Sequence, residues 1–576
     1  MTNKELSKIF KLSASLMELH DENPFKIKAF SGAVFAIDKQ EKDVITLSSS
    51  ELEKLDGFGK SIVSKIAEIK ETGSFTELNL LLTATPTGVI SMLKIKGIGP
   101  KKIKTIWKEA GIETIDALSL ACEENKIAQI KGFGEKTQQT ILENIVFLAE
   151  QNGRFFYAEI EPITVLITQE LGKSGLKFSL SGDARRYIDT IEIIKYLVAT
   201  NNSNPLFDLL DTFSFLEKSE TESSPYAWRG KALPLGVKIE IKVCDETEFG
   251  NKLILNSSGE GHLDRTINDS ETLRKYFRKH KFASEELAYA SLELPVFLPE
   301  LREGLVEFKV QSSKFNETAV ELETLNLKLI TLNDLKGTLH NHTKYSDGEN
   351  TLLEMSQRCI EMGLQYFGVA DHSKSAQYAG GLYEKDVIKQ HQEIDELNKQ
   401  LAPFKILKGI ESDILGDGNL DYEDDILKTF DYVVASVHSG LKMDETKANS
   451  RLIKAIENPY TTILGHPTGR LLLRRQGYPI DHKKIIDACV ANGVVIEINA
   501  SPYRLDLDWR WIPYAIEKGA MLSINPDAHD LDGLYDMHYG TLSARKGGLT
   551  ATNCLNAMGL EQIETFLQSK RSSLTI

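Results

Sequence analysis

Nine residues in the C-terminal half of the chain are of the types that hold metal ions. His340 and His342 stand two apart in GTLHNHTKYSDG, and Asp347 follows in a turn closed by Gly348. Residues i and i+2 of a strand share a face, so both rings can reach one ion. Downstream come His372, Glu411, His438, His466 and the pair Asp527 and His529, each at the end of a short apolar run. A single ion takes about four to six such ligands. Nine therefore imply two or three ions, with a carboxylate such as Glu411 able to bridge. Ions about 3.5–4 Å apart suit phosphoester hydrolysis, because they activate water and clamp the attacking and leaving oxygens. Glu411, His438 and Asp527 are the candidate catalytic residues. One histidine at a strand end is usually just a satisfied polar residue; the whole set has no such bland explanation.

The runs that carry these residues, such as YFGVADHS, DYVVASVHS, GVVIEINAS and MLSINPDAH, read as buried strands alternating with helices. That layout predicts a (β/α) barrel with its site at the C-terminal ends of the strands. Arg470 and Arg504 follow strand ends and are candidates to hold a substrate phosphate bidentately. Tyr345 and Lys374 are weaker candidates for the same role. His391, His482 and His538 fall on helices or loops and read as surface residues. Six imidazoles and three carboxylates suit Mn²⁺, Zn²⁺ or Fe²⁺; Mn²⁺ is the first expectation.

The first 150 residues carry a different signal. LDGFGKSIVSKI (55–66), IKGIGPKKIKTI (95–106) and IKGFGEKTQQTI (130–141) repeat one pattern: an apolar residue, Gly-x-Gly, then an amphipathic helix. The pairs Gly57/Gly59, Gly97/Gly99 and Gly132/Gly134 permit a tight hairpin and leave N–H groups bare at a helix start, where a phosphate can sit. Lys60 and Lys101 stand beside two of them. This is the helix-hairpin-helix element, which grips a DNA backbone without reading sequence.

A chain of 576 residues with 41% hydrophobic and 26% charged residues is ordinary globular material for three or four domains. The net charge is −15, yet residues 1–150 balance 20 Lys against 21 acids. Five dispersed cysteines without a CxxC fit reduced thiols and a cytoplasmic setting. No apolar run approaches a membrane span, and no cofactor-binding motif is evident. We divide the chain into two helix-hairpin-helix regions (1–85 and 86–150), an α+β body (151–318), a linker (319–335) and the metal-bearing barrel (336–576). Within the body, GVKIEIKV (236–243) alternates as a half-buried strand should.

Residues 336–560 resemble the PHP (polymerase and histidinol phosphatase) domain, whose H-x-H…D, D-H, E, H, H and D-x-H motifs all occur in order. The resemblance implies a distorted (β/α)7 barrel with a trinuclear metal site. ILGHPTGRLLLRR and EINASPYRLDLD look like the version fused to bacterial family X DNA polymerases. NPFKIKAF, the hairpin repeats, GDARR and FLPELREG continue that resemblance over nearly the whole chain. It implies a small, lyase-like domain at 1–85, a fingers-like region at 86–150 and a polymerase-beta-like nucleotidyltransferase body, with palm and thumb, at 151–318. It also puts Lys65 at the position of a lyase Schiff-base lysine, although Ser31 and Gly32 stand where basic residues often bind a 5′-phosphate.

The body departs from the pattern. Gly182, Arg185 and Arg186 match, but Asp183 replaces a serine, and Ile193 and Lys195 replace two carboxylates; Glu240 is the third. An isoleucine and a lysine offer no ligand to Mg²⁺. The expected protein is a monomer that binds gapped, single-stranded or 3′-end DNA. It cuts phosphodiesters as a metal-dependent 3′→5′ exonuclease and carries an inactive polymerase core. The alternatives are a small-molecule phosphatase of the histidinol-phosphatase type, an active polymerase, or a scaffold without chemistry.

Overall fold

The structure, a computed structural model, describes residues 1–40, 42–268, 271–305 and 329–572. It comprises two units, Met1–Asn152 and Gly153–Ile576. The first is helical. Thr2 and Glu5 cap its first helix, Asn3–Leu19, reciprocally. Leu6, Phe10 and Met17 from that helix share one core with Ile66, Ile103 and Trp107. The regions expected at 1–85 and 86–150 are thus joined by a single core.

The second unit begins with a five-stranded sheet in the order Lys177–Ser181, Ile193–Ala199, Val237–Cys244, Ala227–Ala232, Leu216–Lys218. Ile193–Ala199 and Val237–Cys244 pair in parallel, and the other neighbours are antiparallel. Side chains alternate as a period of two requires. Val237, Ile239 and Ile241 enter the core with Ile194, Tyr196 and Trp228. The intervening Lys238 and Lys242 stay at least partly exposed.

Short helices between Phe249 and Ala290 follow, around a core of Ile254, Leu273, Phe277 and Tyr289, and residues 329–572 then form a ring of parallel strands. Gly337–Thr338, Tyr366–Gly368 and Lys405–Leu407 pair in sequence. The third continues as Gly409–Asp413 and pairs onward with Tyr432–Ser436, Ile463–Leu464, Val495–Asn499 and Leu522–Asn525. The ring closes where Asp527 N donates to His340 O at 3.1 Å and His342 N donates to Ala528 O at 2.8 Å. Seven strand positions alternating with helices make the expected barrel. Its strands are buried along their length, as parallel strands covered on both faces must be.

Of the expected linker, 319–328 lies outside the described residues. Residues 329–335 do not behave as a linker: Ile330 and Leu335 pack into the barrel core, and Ile330 N donates to Leu549 O. Sheet body and barrel meet along an ionic seam. Lys546, 1% exposed, donates to Arg186 O at 2.9 Å and to Glu303 at 3.0 Å. Arg545 pairs with Glu300, and His538 with Glu161 at 2.9 Å.

Candidate metal centre

Glu411 lies within Gly409–Asp413 and Asp347 in a turn after the first strand; the other metal-type residues follow strand ends, and three are held in left-handed backbone: His340 (φ 68°), His466 (φ 21°) and Asp527 (φ 55°). Such conformations cost of order 1–3 kcal/mol each and persist only where the surroundings over-determine them. The result brings all nine side chains together in four overlapping groups. Glu411 is central. Its Oε1 lies 3.1 Å from His340 Nε2, 3.1 Å from His438 Nε2 and 3.0 Å from His466 Nε2. Its Oε2 lies 3.0 Å from His372 Nδ1 and 3.7 Å from His342 Nε2. Asp527 Oδ1 is 3.0 Å from His342 Nε2. Asp347 lies 3.5–3.8 Å from His529, His372 and His342 on the more open side of the cluster.

The donor set fits divalent ions. His340 Nε2, His342 Nδ1, His372 Nδ1, His466 Nδ1 and Glu411 Oε2 are buried and have no hydrogen-bond partner among the described residues. A buried polar atom left without a partner costs about 1–3 kcal/mol. The four such atoms on His340, His342, His372 and Glu411 lie in the cluster, where cations would satisfy them together. The electrostatics agree. Burial opposes ionisation of Glu411, yet His438, His340 and His372 hold its carboxyl well below the usual range. Burial also works against charge on His438, but Glu411 and Asp413 raise it to about 10. His342 is pushed down to about 3 by burial, with His529 and His372 adding to the effect.

Three carboxylates that sequence reasoning did not single out complete the support. Glu497 is fully buried and accepts from His340 Nδ1 at 2.7 Å and from His466 N at 2.6 Å. Asp413 accepts from His438 Nδ1 at 2.5 Å. Asp371 likewise holds the loop that carries Asp347, accepting from Thr343 N and Ser346 Oγ.

The four candidate phosphate contacts separate. Arg504 Nε lies 3.6 Å from Asp527 Oδ2, beside the cluster. Arg470 is otherwise engaged: it donates to Asp508, to the carbonyls of Arg504 and Leu505, and at 3.4 Å to Asp189 of the sheet body. It ties the barrel to the body and has no free face for a phosphate. Tyr345 donates its hydroxyl to Glu393 at 2.6 Å, and Lys374 pairs with Glu384 at 2.8 Å. Nor are the other histidines plain surface residues. His391 packs edge-on to Phe430, and His482 stacks on Trp511.

The three glycine hairpins share one geometry. Gly57, Gly97 and Gly132 have φ of 89°, 89° and 88°. Gly59, Gly99 and Gly134 each cap the following helix, Lys60–Thr72, Pro100–Lys108 and Glu135–Gln151, without a side-chain cap. Their first N–H groups are therefore left for an outside acceptor. Lys60 and Lys101 are exposed in the first turns of two of these helices. Lys65 lies on the first of them, 3.6 Å from Glu68 and over the Phe75 ring.

In the sheet body, Ile193 and Lys195 occupy one strand, and Lys195 registers opposite Glu240. Glu240 is held by Arg229 at 2.8 Å and Lys242 at 3.0 Å. Asp183 pairs with Arg186, Asp189 with Arg470, and Glu192 with Lys238. The nearby carboxylates thus already carry cationic partners.

A helix-hairpin-helix unit, an α+β sheet body and a ring of nine metal-type ligands define a family X polymerase-type protein with a PHP barrel. Comparison with known proteins agrees. A helix-hairpin-helix domain family matches residues 1–75, a SAM-like helix-hairpin-helix tandem residues 89–145, and the PHP domain residues 338–501. The DNA polymerase/3'-5' exonuclease PolX of Bacillus subtilis (strain 168) is 33% identical over 589 residues, covering 99% of this chain and all of that protein. A probable phosphatase of Thermoanaerobacter sp. (strain X514) is 29% identical over 247 residues, 41% of this chain and 95% of the relative. The chain belongs to the PolX family. Among the described residues no helix is long and apolar enough to cross a membrane.

Proposed function

We propose that the chain is a DNA 3′→5′ exonuclease that works at the barrel and carries a polymerase core without synthetic activity. The observation that carries this reading is the convergence of nine ligands around Glu411, with buried donor atoms that lack partners. His340, His342, Asp347, His372, Glu411, His438, His466, Asp527 and His529 would hold two or three divalent ions; we take Mn²⁺ first, and imidazole with carboxylate accommodates Zn²⁺ or Fe²⁺ as well. Bound there, the ions activate water and neutralise charge on the phosphorus oxygens. Arg504 meets a non-bridging oxygen of the scissile phosphate. Asp527 and Glu411 keep the donor atoms fixed while charge develops.

The glycine hairpins hold the strand by its backbone, and Lys65 belongs to that surface rather than to lyase chemistry, since its amine sits beside Glu68. The ligand set is complete within one chain, which supports a monomer. All five cysteines are buried and unpaired, in keeping with the cytoplasm. Ile193 and Lys195 argue against dNTP-dependent extension.

The test is a gapped, 3′-labelled duplex incubated with Mn²⁺-loaded protein, with and without dNTPs. Shortening that is abolished in His340→Ala is the expected result. Intact label, or extension on adding dNTPs, overturns it. A small-molecule phosphatase, as the partial relatives are named, would instead turn over histidinol phosphate faster than oligonucleotide.

A further inference from the structure

At the open side of the cluster stands a largely exposed aromatic ring. Tyr378 is 73% exposed, yet its ring centroid is 6.1 Å from that of His372. The carboxylates of Asp413, Glu411 and Asp347 and the Arg504 guanidinium are close enough to act on its hydroxyl. No hydrogen bond engages that hydroxyl among the described residues. Neighbouring tyrosines differ: Tyr345 is tied to Glu393 and Tyr422 to Leu382 O.

The turn that presents the ring is built firmly. Ser375 N donates to Asp421 at 2.6 Å, and Ser375 Oγ donates to Asp413 at 3.0 Å. Ala376 and Ala379 are buried on either side of Tyr378. Gly380 turns the chain in left-handed backbone (φ 69°), and Gly381 packs so closely on Ser373 O that a Cβ would lie 1.9 Å from it. A large apolar face is thus held toward solvent beside the candidate metal ligands by a part-buried hydrogen-bonded frame. Burial does not reward that placement; contact with a flat ligand does.

We infer that Tyr378 is the stacking platform for the terminal base of the strand whose last phosphodiester enters the cluster. This rests on the exonuclease reading and adds its substrate class: a nucleotide end with a base, stacked on Tyr378, while Arg504 meets the phosphate. Stacking tolerates every base, because each has a π-face, so the site selects a nucleic-acid end without selecting sequence.

The test is a two-by-two cycle on the full chain with Mn²⁺. Wild type and Tyr378→Ala are each given an oligonucleotide with a normal or an abasic 3′-terminal nucleotide. Removing the ring should lower kcat/KM by about 5- to 150-fold, mainly through KM. Removing the base should cost as much, and removing both should cost no more than either. Tyr378→Phe should keep wild-type behaviour. A second readout needs no turnover: 2-aminopurine as the 3′-terminal base, behind a phosphorothioate linkage, should be quenched by wild type and by Tyr378→Phe but not by Tyr378→Ala. Additive losses in the cycle, a Phe variant as poor as Ala, or an absent quench overturns the platform. Wild type that leaves both oligonucleotides intact while still quenching the terminal base overturns the exonuclease reading alone.

Discussion

Glu497 accepts a hydrogen bond from His340 Nδ1 at 2.7 Å, and the opposite ring nitrogen of His340 lies 3.1 Å from Glu411. The carboxylate therefore fixes the proton on Nδ1 and turns Nε2 into the cluster. A ligand oriented in this way is more basic and better placed, and loss of such a partner typically costs 10–100-fold in metal affinity. Glu497→Gln should weaken Mn²⁺ binding by about that factor, read by titration calorimetry, with the far-UV spectrum unchanged. Asp413→Asn should do the same through His438.

Arg470 and Asp189 lie far apart in sequence and meet in the seam between barrel and sheet body. Arg470→Ala leaves Asp189 buried without its cation, while Asp508 keeps Arg510, and should cost about 3–5 kcal/mol in denaturant unfolding. Arg470→Lys should recover only part, because a lysine cannot reproduce the guanidinium fork. A raised KM with unaltered stability would restore the phosphate role expected from sequence.

The hairpin surface carries a salt signature. Lys60→Ala and Lys101→Ala should each reduce the slope of log K against log salt by about 1 for DNA binding, uniformly across sequences. Gly97→Val should instead destabilise the helical unit. It forces a β-branched residue into φ 89°, at a cost of about 1–2 kcal/mol, and meets Thr140 at 3.0 Å.

His391 predicts a pH dependence of stability independent of the metal ligands. Burial against Phe430 pushes its imidazole down to about 4, with Lys408 and Arg571 adding to the shift and Asp395 opposing it. The unfolded chain takes up that proton near 6.5, the folded chain only near 4. Stability from this group is therefore complete above pH 6.5 and is lost as pH falls toward 4, by about 1–2 kcal/mol after allowing for solvent screening of the half-buried ring. His391→Leu should flatten urea midpoints across pH 4–6.5; an unchanged slope would sink the assignment.

The candidate ligands are legible because most follow an apolar run and the first two stand at i and i+2. The same spacing offered Asp413, two residues after Glu411 on a strand, and was not followed. Glu497 carried a signal too: a lone acid inside VVIEI, a run otherwise fit for burial, needs a buried partner. Arg470 was not legible. Its partner Asp189 belongs to another sheet, and no local pattern reveals a contact across that distance. The hairpins were read correctly because φ near 89° demands glycine at one fixed offset in all three copies.

Ring closure has a kinetic consequence. His342 and Asp527, 185 residues apart in sequence, meet at 3.0 Å only after the last strand has paired with the first. Non-local pairing of this kind is slow, and the loop entropy falls due before the contact forms. During synthesis the nascent chain cannot assemble its ligand set until about residue 530 has emerged. Metal uptake therefore reports the final step of folding, and a chain stopped before Asp527 would keep its hairpins while losing the metal centre.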